Sequence, residues 1–180
     1  AYSSIGHVGY VLIALVAANS DGIKSAAIYM FIYMIMNISV FAILLSLKKS
    51  NQYIENISDL VGLSKSNPII SVSLAIIMLS MAGIPPFIGF FGKFYVFVAA
   101  IESGLYLLSI LGVLASVISA YYYLRIIKVM YFDDLDKNAS FDLNIILESK
   151  ILLLVLILII TLFVVYPSIL INLTSNLIIT

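Results

Sequence analysis

One lysine stands alone in a long apolar run. Lys93 lies within FIGFFGKFYVFVAA, and the nearest other charge is Glu102. A lysine at mid-membrane costs roughly 2.5–3.5 kcal/mol on insertion scales, so such residues usually face a bundle interior and mark an ion path. The competing reading is a side chain that snorkels to the interface from a helix end. Lys93 is seven residues after Pro86 and eight before Ile101, far from both ends of its segment, which favours the ion path. His7, in SSIGHVGY, has Ser3 one turn before it and Tyr10 one turn after, on a shared helical face. Histidine passes protons near neutral pH. The alternative is a packed imidazole donating to a backbone carbonyl, and the sequence leaves both open. Tyr29, Tyr33 and Asn37 form an i, i+4, i+8 stripe. It either lines a hydrated path or, as is commoner for such stripes, hydrogen-bonds one helix to another.

Other polar residues carry less. Asp21 and Glu102 fall in short connections and read as solvated. Asp133, Asp134 and Asp136 lack the spacing and terminal Glu of a calcium loop, so they too read as a solvated run. No phosphate loop, nucleophile elbow or paired carboxylate is present, so covalent and redox chemistry are not expected in this chain. No cysteine is available for disulfides, thiolate metal sites or iron–sulfur clusters. We expect neither a metal nor a bound cofactor here.

Five apolar segments must position these residues, at roughly 1–18, 24–47, 69–100, 104–127 and 145–166. Each approaches or exceeds the ~20 residues needed to cross a bilayer as a helix, and all are too long for barrel strands. The fold class expected is all-α: a polytopic membrane bundle of about five transmembrane helices in one domain spanning residues 1–180, the third helix discontinuous. That third segment would make a straight helix about 48 Å long at ~1.5 Å per residue. Gly83-Ile84-Pro85-Pro86 breaks it, because two prolines remove two donors and clash with the preceding turn. Two half-helices should result, with unpaired carbonyls near Gly83, unpaired amides near Phe87, and water bridging Lys93 to the break.

Composition agrees. Of 180 residues, 63% are hydrophobic and 10% charged, against about 25% charged in a soluble domain. Mean hydropathy is +1.20. Lipid must be the main solvent. Net charge is zero, so no basic face is offered to nucleic acid. The chain enters an apolar segment at once from Ala1, which we read as the start of a fragment of a longer protein.

Two connections are short, Asn19–Ile23 and Ala100–Ser103; two are longer and polar, Lys48–Pro68 and Asp133–Asn144. The longer pair with their helix ends hold Lys48, Lys49, Lys65, Arg125, Lys128, Lys137 and Lys150, whereas the opposite side has Lys24 alone. The positive-inside rule makes the richer side cytoplasmic. The C-terminus then lies outside. Tyr121, Tyr122 and Tyr123 before Arg125 read as an interfacial aromatic belt. Gly112, Ser116 and Ala120 form a small face for close helix approach.

AYSSIGHVGY, NPIISVSLAIIMLSMAGIPPFIGFFGKFYVF and SAYYYLRIIKVMYFD together resemble the antiporter-like membrane subunits of respiratory complex I, the proton-pumping NADH:quinone oxidoreductases. SSIGHVGY resembles the subunit-N branch more than its sister branches, and the likeness weakens after about residue 135. The resemblance implies the C-terminal five-helix repeat of such a subunit, with Lys93 as the channel lysine and His7 as the histidine of the neighbouring helix. It implies a translocase subunit in a bacterial inner membrane, with the mitochondrial inner membrane as the alternative. Partners would be lipid and other complex I membrane subunits, with NADH, flavin, iron–sulfur clusters and quinone bound elsewhere in the complex. The rival readings are a cation/proton antiporter or hydrogenase-linked subunit, and a truncated remnant that conducts nothing.

Overall fold

A computed structural model describes residues 1–49, 52–133, 141–143 and 147–162. The described chain is mostly helical: α1 (Tyr2–Val16), α2 (Ser20–Ser46), α3 (Leu63–Ser66), α4 (Pro68–Ala82), α5 (Ile88–Glu102), α6 (Tyr106–Phe132) and α7 (Leu147–Leu162). Of these, α2 and α6 are long and apolar enough to cross a membrane, and α1 and α4 are shorter apolar helices. Three short strands, β1 (Leu47–Lys49), β2 (Gln52–Tyr53) and β3 (Phe141–Leu143), form an antiparallel sheet in the order β2-β1-β3.

The helix ends differ from the sequence reading where polar side chains cap them. The expected connection Asn19–Ile23 is mostly helix. Asn19 accepts the Gly22 amide at 2.6 Å through its side chain, which starts α2 at Ser20. The same Asn19 donates to Ser103 Oγ at 2.8 Å, and Ser103 donates to the Ala17 carbonyl at 3.0 Å, tying the two turns at this end together. Likewise α5 runs on through Glu102, and the chain turns at Gly104, whose φ of +77° suits glycine. Asp21 and Glu102 are therefore exposed helix residues, with Asp21 3.5 Å from Lys24. At the other end, the stretch Lys48–Pro68 is not plain loop. It holds β1, β2, a 3-10 turn at Ile57–Leu60 and α3. Of the remaining connection, Asp133 pairs with Lys128 at 2.9 Å. Asp134, Asp136 and Lys137, and with them the assignment of the C-terminus, lie outside the described residues.

The main core joins α2, α4, α6 and α7, with Ile32, Ile43, Leu74, Ile77, Met130 and Ile160 fully enclosed. A second cluster, including Tyr10, Ile13, Ala14, Tyr29, Val96 and Ala100, joins α1, α2 and α5. Close approach depends on glycine. A methyl group at Gly22 would stand 2.3 Å from the Ala14 carbonyl oxygen, and one at Gly112 would stand 2.7 Å from the Phe97 ring. The outer face of α6 shows Leu107, Ile110, Leu114, Val117 and Ile118 outward, as a lipid-facing helix would.

Candidate functional site

Helices α4 and α5 are separated by residues 83–87, and each caps the other. Gly83 ends α4 in the left-handed region at φ +83°. The amides of Gly83 and Ile84 return to the carbonyls of Ser80 and Leu79 at 3.0 and 3.1 Å, a common glycine-terminated helix end. Two later carbonyls, those of Met81 and Ala82, receive the Lys93 ammonium at 3.2 and 3.0 Å. In return, Ser80 of α4 accepts the Gly89 amide in the first turn of α5 at 3.1 Å. Where unpaired carbonyls, unpaired amides and a bridging water are expected, Lys93 meets two carbonyls of α4 directly and Ser80 Oγ meets one amide of α5. Gly89 permits this proximity, because a methyl group there would stand 1.9 Å from the Ser80 carbonyl oxygen. The Pro85–Pro86 peptide within the connection is cis.

Lys93 is 5 % exposed, and its nitrogen turns to the end of α4 and to α6. Its third partner is Ser116 Oγ of α6 at 2.8 Å, and its Nζ lies 5.1 Å from the centre of the Tyr10 ring. An ammonium carries three donors and no acceptor, so two carbonyls and one hydroxyl satisfy it fully. A neutral amine would keep two N–H groups for the carbonyls and accept from Ser116 with its lone pair. Turning one hydroxyl hydrogen therefore serves both protonation states with no heavy atom moved.

His7 is 3 % exposed, and its two ring nitrogens both meet hydroxyls. Nδ1 lies 2.7 Å from Tyr29 Oη and Nε2 lies 3.0 Å from Tyr123 Oη. Tyr123 Oη is also hydrogen-bonded to Ser3 Oγ. A backbone carbonyl can only accept and would lock one tautomer, whereas hydroxyls both donate and accept. His7 is a packed imidazole whose ring nitrogens meet hydroxyls rather than the backbone carbonyl expected. Tyr33 stacks on the imidazole at 4.5 Å between ring centres and donates to Ser4 Oγ at 2.9 Å. Tyr10 meets the imidazole edge-on at 6.1 Å, placing one ring against both His7 and Lys93.

The structure thus brings together Lys93, His7, Tyr29 and Tyr33, with Gly83 beneath the lysine; Asn37 is half-buried and outside the ring contacts of His7. Pro85 and Pro86 lie in the connection between α4 and α5. Three site residues escaped sequence reading: Ser80, Ser116 and Tyr123. Tyr123 was expected in an interfacial belt, yet it is 4 % exposed while Tyr121 is 70 % exposed. Among the described residues no group of three or more His, Cys, Asp or Glu is placed to hold a metal.

Residues 1–119 match the family described as NADH:quinone oxidoreductase/Mrp antiporter, transmembrane. The chain is 59% identical over 134 residues to NADH-quinone oxidoreductase subunit N of Paramagnetospirillum magneticum, covering 74% of this chain and 28% of that protein. It is 48% identical over 176 residues to the subunit of the same name from Pelagibacter ubique, covering 98% of this chain and 37% of that one. Among solved structures it is similar to a chain of respiratory complex I from Thermus thermophilus with bound aureothin. That likeness has a TM-score of 0.77 and 25% identity, over 93% of this chain and 37% of that one. The chain spans about a third of the length of these relatives.

Proposed function

The chain belongs to the NADH:quinone oxidoreductase/Mrp antiporter transmembrane family, and on that premise we propose that it forms part of a proton path in the membrane arm of an NADH:quinone oxidoreductase. The observation that carries this reading is the Lys93 site. Two buried carbonyls and the Ser116 hydroxyl hold its nitrogen, a set that suits the amine charged or neutral. A group so placed can take a proton and pass it on as the surrounding charge changes. Charge within a low-dielectric interior acts strongly at short range, so a redox event elsewhere in the complex can shift the balance. The redox steps, with their NADH, flavin, iron–sulfur clusters and quinone, fall to other subunits.

We read α4 and α5 as two halves of one membrane crossing, which with α1, α2, α6 and α7 gives five crossings. Helix ends meeting at membrane depth recur at ion sites, because the carbonyl end of one half solvates charge. Lys93 and His7 act in this reading as proton-transfer residues, Gly83, Pro85 and Pro86 shape the break, and Tyr29 and Tyr33 orient the imidazole. The membrane is a bacterial inner membrane, in keeping with the bacterial sources of the relatives. An antiporter assembly is the second reading, since the family description spans both kinds of protein. Which subunits co-purify with the chain decides between them.

The test is Lys93→Ala and Lys93→Arg in membranes with matched levels of assembled complex. Arginine keeps the charge but does not release its proton at any usable pH. Both variants should lose NADH-driven proton pumping. Wild-type pumping and quinone reduction in Lys93→Arg would end the proton-transfer reading.

A further inference from the structure

The hydrogen-bond partners of Lys93 are dipoles. The Met81 and Ala82 carbonyls and the Ser116 hydroxyl take the three N–H bonds of the ammonium, and none of them carries a charge. A fourth group meets the same nitrogen. Nζ stands over the Tyr10 ring, 5.1 Å from its centre, and both side chains are buried. A cation within about 6 Å of a ring centroid is attracted by the negative face of the π-system, most strongly where water is excluded. A neutral amine has no such attraction. Ser116 can serve both protonation states of the lysine, whereas the ring distinguishes them.

The ring is also held in place. Phe97 of α5 lies nearly perpendicular to it at 5.9 Å between centres, and Tyr29 of α2 does so at 5.7 Å. Ile13, Ala14, Val96 and Ala100 complete the buried cluster around it. Such edge-to-face packing fixes ring orientation as well as burying area, so the face stays towards Nζ.

We propose that Tyr10 is a positioning residue for proton uptake at Lys93, its ring face stabilising the ammonium where the hydrogen-bond partners are neutral dipoles. The proposal rests on the proton-path reading above and adds Tyr10 to it by electrostatics alone; the residue hands on no proton. Burying a charge is costly unless its surroundings offset the loss of water. The ring offsets part of that cost for the charged form only. With a weaker ring the charged form is less populated, and each cycle waits longer for uptake.

Fluorine withdraws π-density from the face of a ring with little change in its size, so fluorinated phenylalanines at position 10 vary the attraction and keep the packing. In membranes holding matched levels of assembled complex, Tyr10→Phe should retain most NADH-driven proton pumping. Monofluorophenylalanine at position 10 should pump more slowly, and trifluorophenylalanine about tenfold more slowly. Trifluorophenylalanine at position 97 is the control, because Phe97 packs on the Tyr10 ring and should leave pumping unchanged. A graded fall at position 10 alone supports the role. A flat series, or an equal fall at positions 10 and 97, overturns it. Should Tyr10→Phe fail to assemble, difluorotyrosine at position 10 is compared with the wild type: slower pumping supports the role, and an unchanged rate overturns it. Lys93→Ala serves as the reference. If Lys93→Ala pumps normally, the underlying proton-path reading falls; if it is impaired while the fluorinated series is flat, the role of Tyr10 alone is overturned.

Discussion

Lys93 lies so close over Gly83 that a methyl group on the glycine would stand 2.9 Å from its Cδ and 3.1 Å from its Nζ. The glycine thus has two duties, one in the backbone at φ +83° and one as the floor beneath the lysine stem. Gly83→Ala should lower stability by about 1–2 kcal/mol from the left-handed backbone alone and also displace the ammonium from its carbonyls. Gly104→Ala separates the two effects, since Gly104 has φ +77° with nothing within 4 Å. Pumping per assembled complex should fall in Gly83→Ala and hold in Gly104→Ala. Equal losses would show that strain alone accounts for Gly83.

Ser116 is the one partner of Lys93 able to donate as well as accept. A hydrogen bond to a charged group contributes about 1.5–3 kcal/mol, so Ser116→Ala should slow pumping by about tenfold or more while assembly stays intact. Ser116→Thr keeps the hydroxyl and should retain most activity. Pumping rates of the two variants at matched subunit levels make the comparison, and equal rates would remove Ser116 from the site.

Gly89→Ala should prevent accumulation of the folded chain. Its methyl group would stand 1.9 Å from the Ser80 backbone oxygen, which cannot yield as a flexible side chain can. Gly6→Ala is the control, with nothing within 4 Å. Immunoblots of membranes should show the first variant depleted and the second at the wild-type level.

Glu55 and Glu102 are both exposed, Glu55 between β2 and the 3-10 turn and Glu102 at the end of α5. By the positive-inside rule, the excess of Lys and Arg near the strand-bearing end predicts Glu55 on the cytoplasmic side and Glu102 on the other. Single cysteines at the two positions should therefore label from opposite faces of sealed vesicles. Labelling of both from one face would defeat the orientation and the five crossings with it.

The local parts of the site were legible in the sequence, and the reciprocal parts were not. Gly83, Pro85 and Pro86 act within a few residues of each other, so the end of α4 could be read directly from residue type. The partners of Lys93 and His7 are set by packing. Ser116 lies 23 residues from Lys93, and Tyr123 lies 116 from His7. A partial signal existed in α6. Successive residues of a helix point about 100° apart at 3.6 residues per turn, so Tyr121, Tyr122 and Tyr123 could not all face lipid. Ser116, Ala120 and Tyr123 recur at helical spacing on one side, and that side meets the site. The strands were missed because they are two or three residues long and one partner, Phe141–Leu143, comes from far along the chain.

The contact between Ser3 and Tyr123 spans 120 residues, and that separation sets an order of events during synthesis. At about 5–20 residues per second, the start of α1 leaves the ribosome roughly 6–24 s before the residue that completes its hydrogen bonds. Tyr29 follows His7 by only 22 residues, so one imidazole nitrogen finds its neighbour early while the other waits for α6. The bilayer therefore receives the earlier helices with the hydrogen bonds of His7 still incomplete, and the arrival of α6 is the step that completes them.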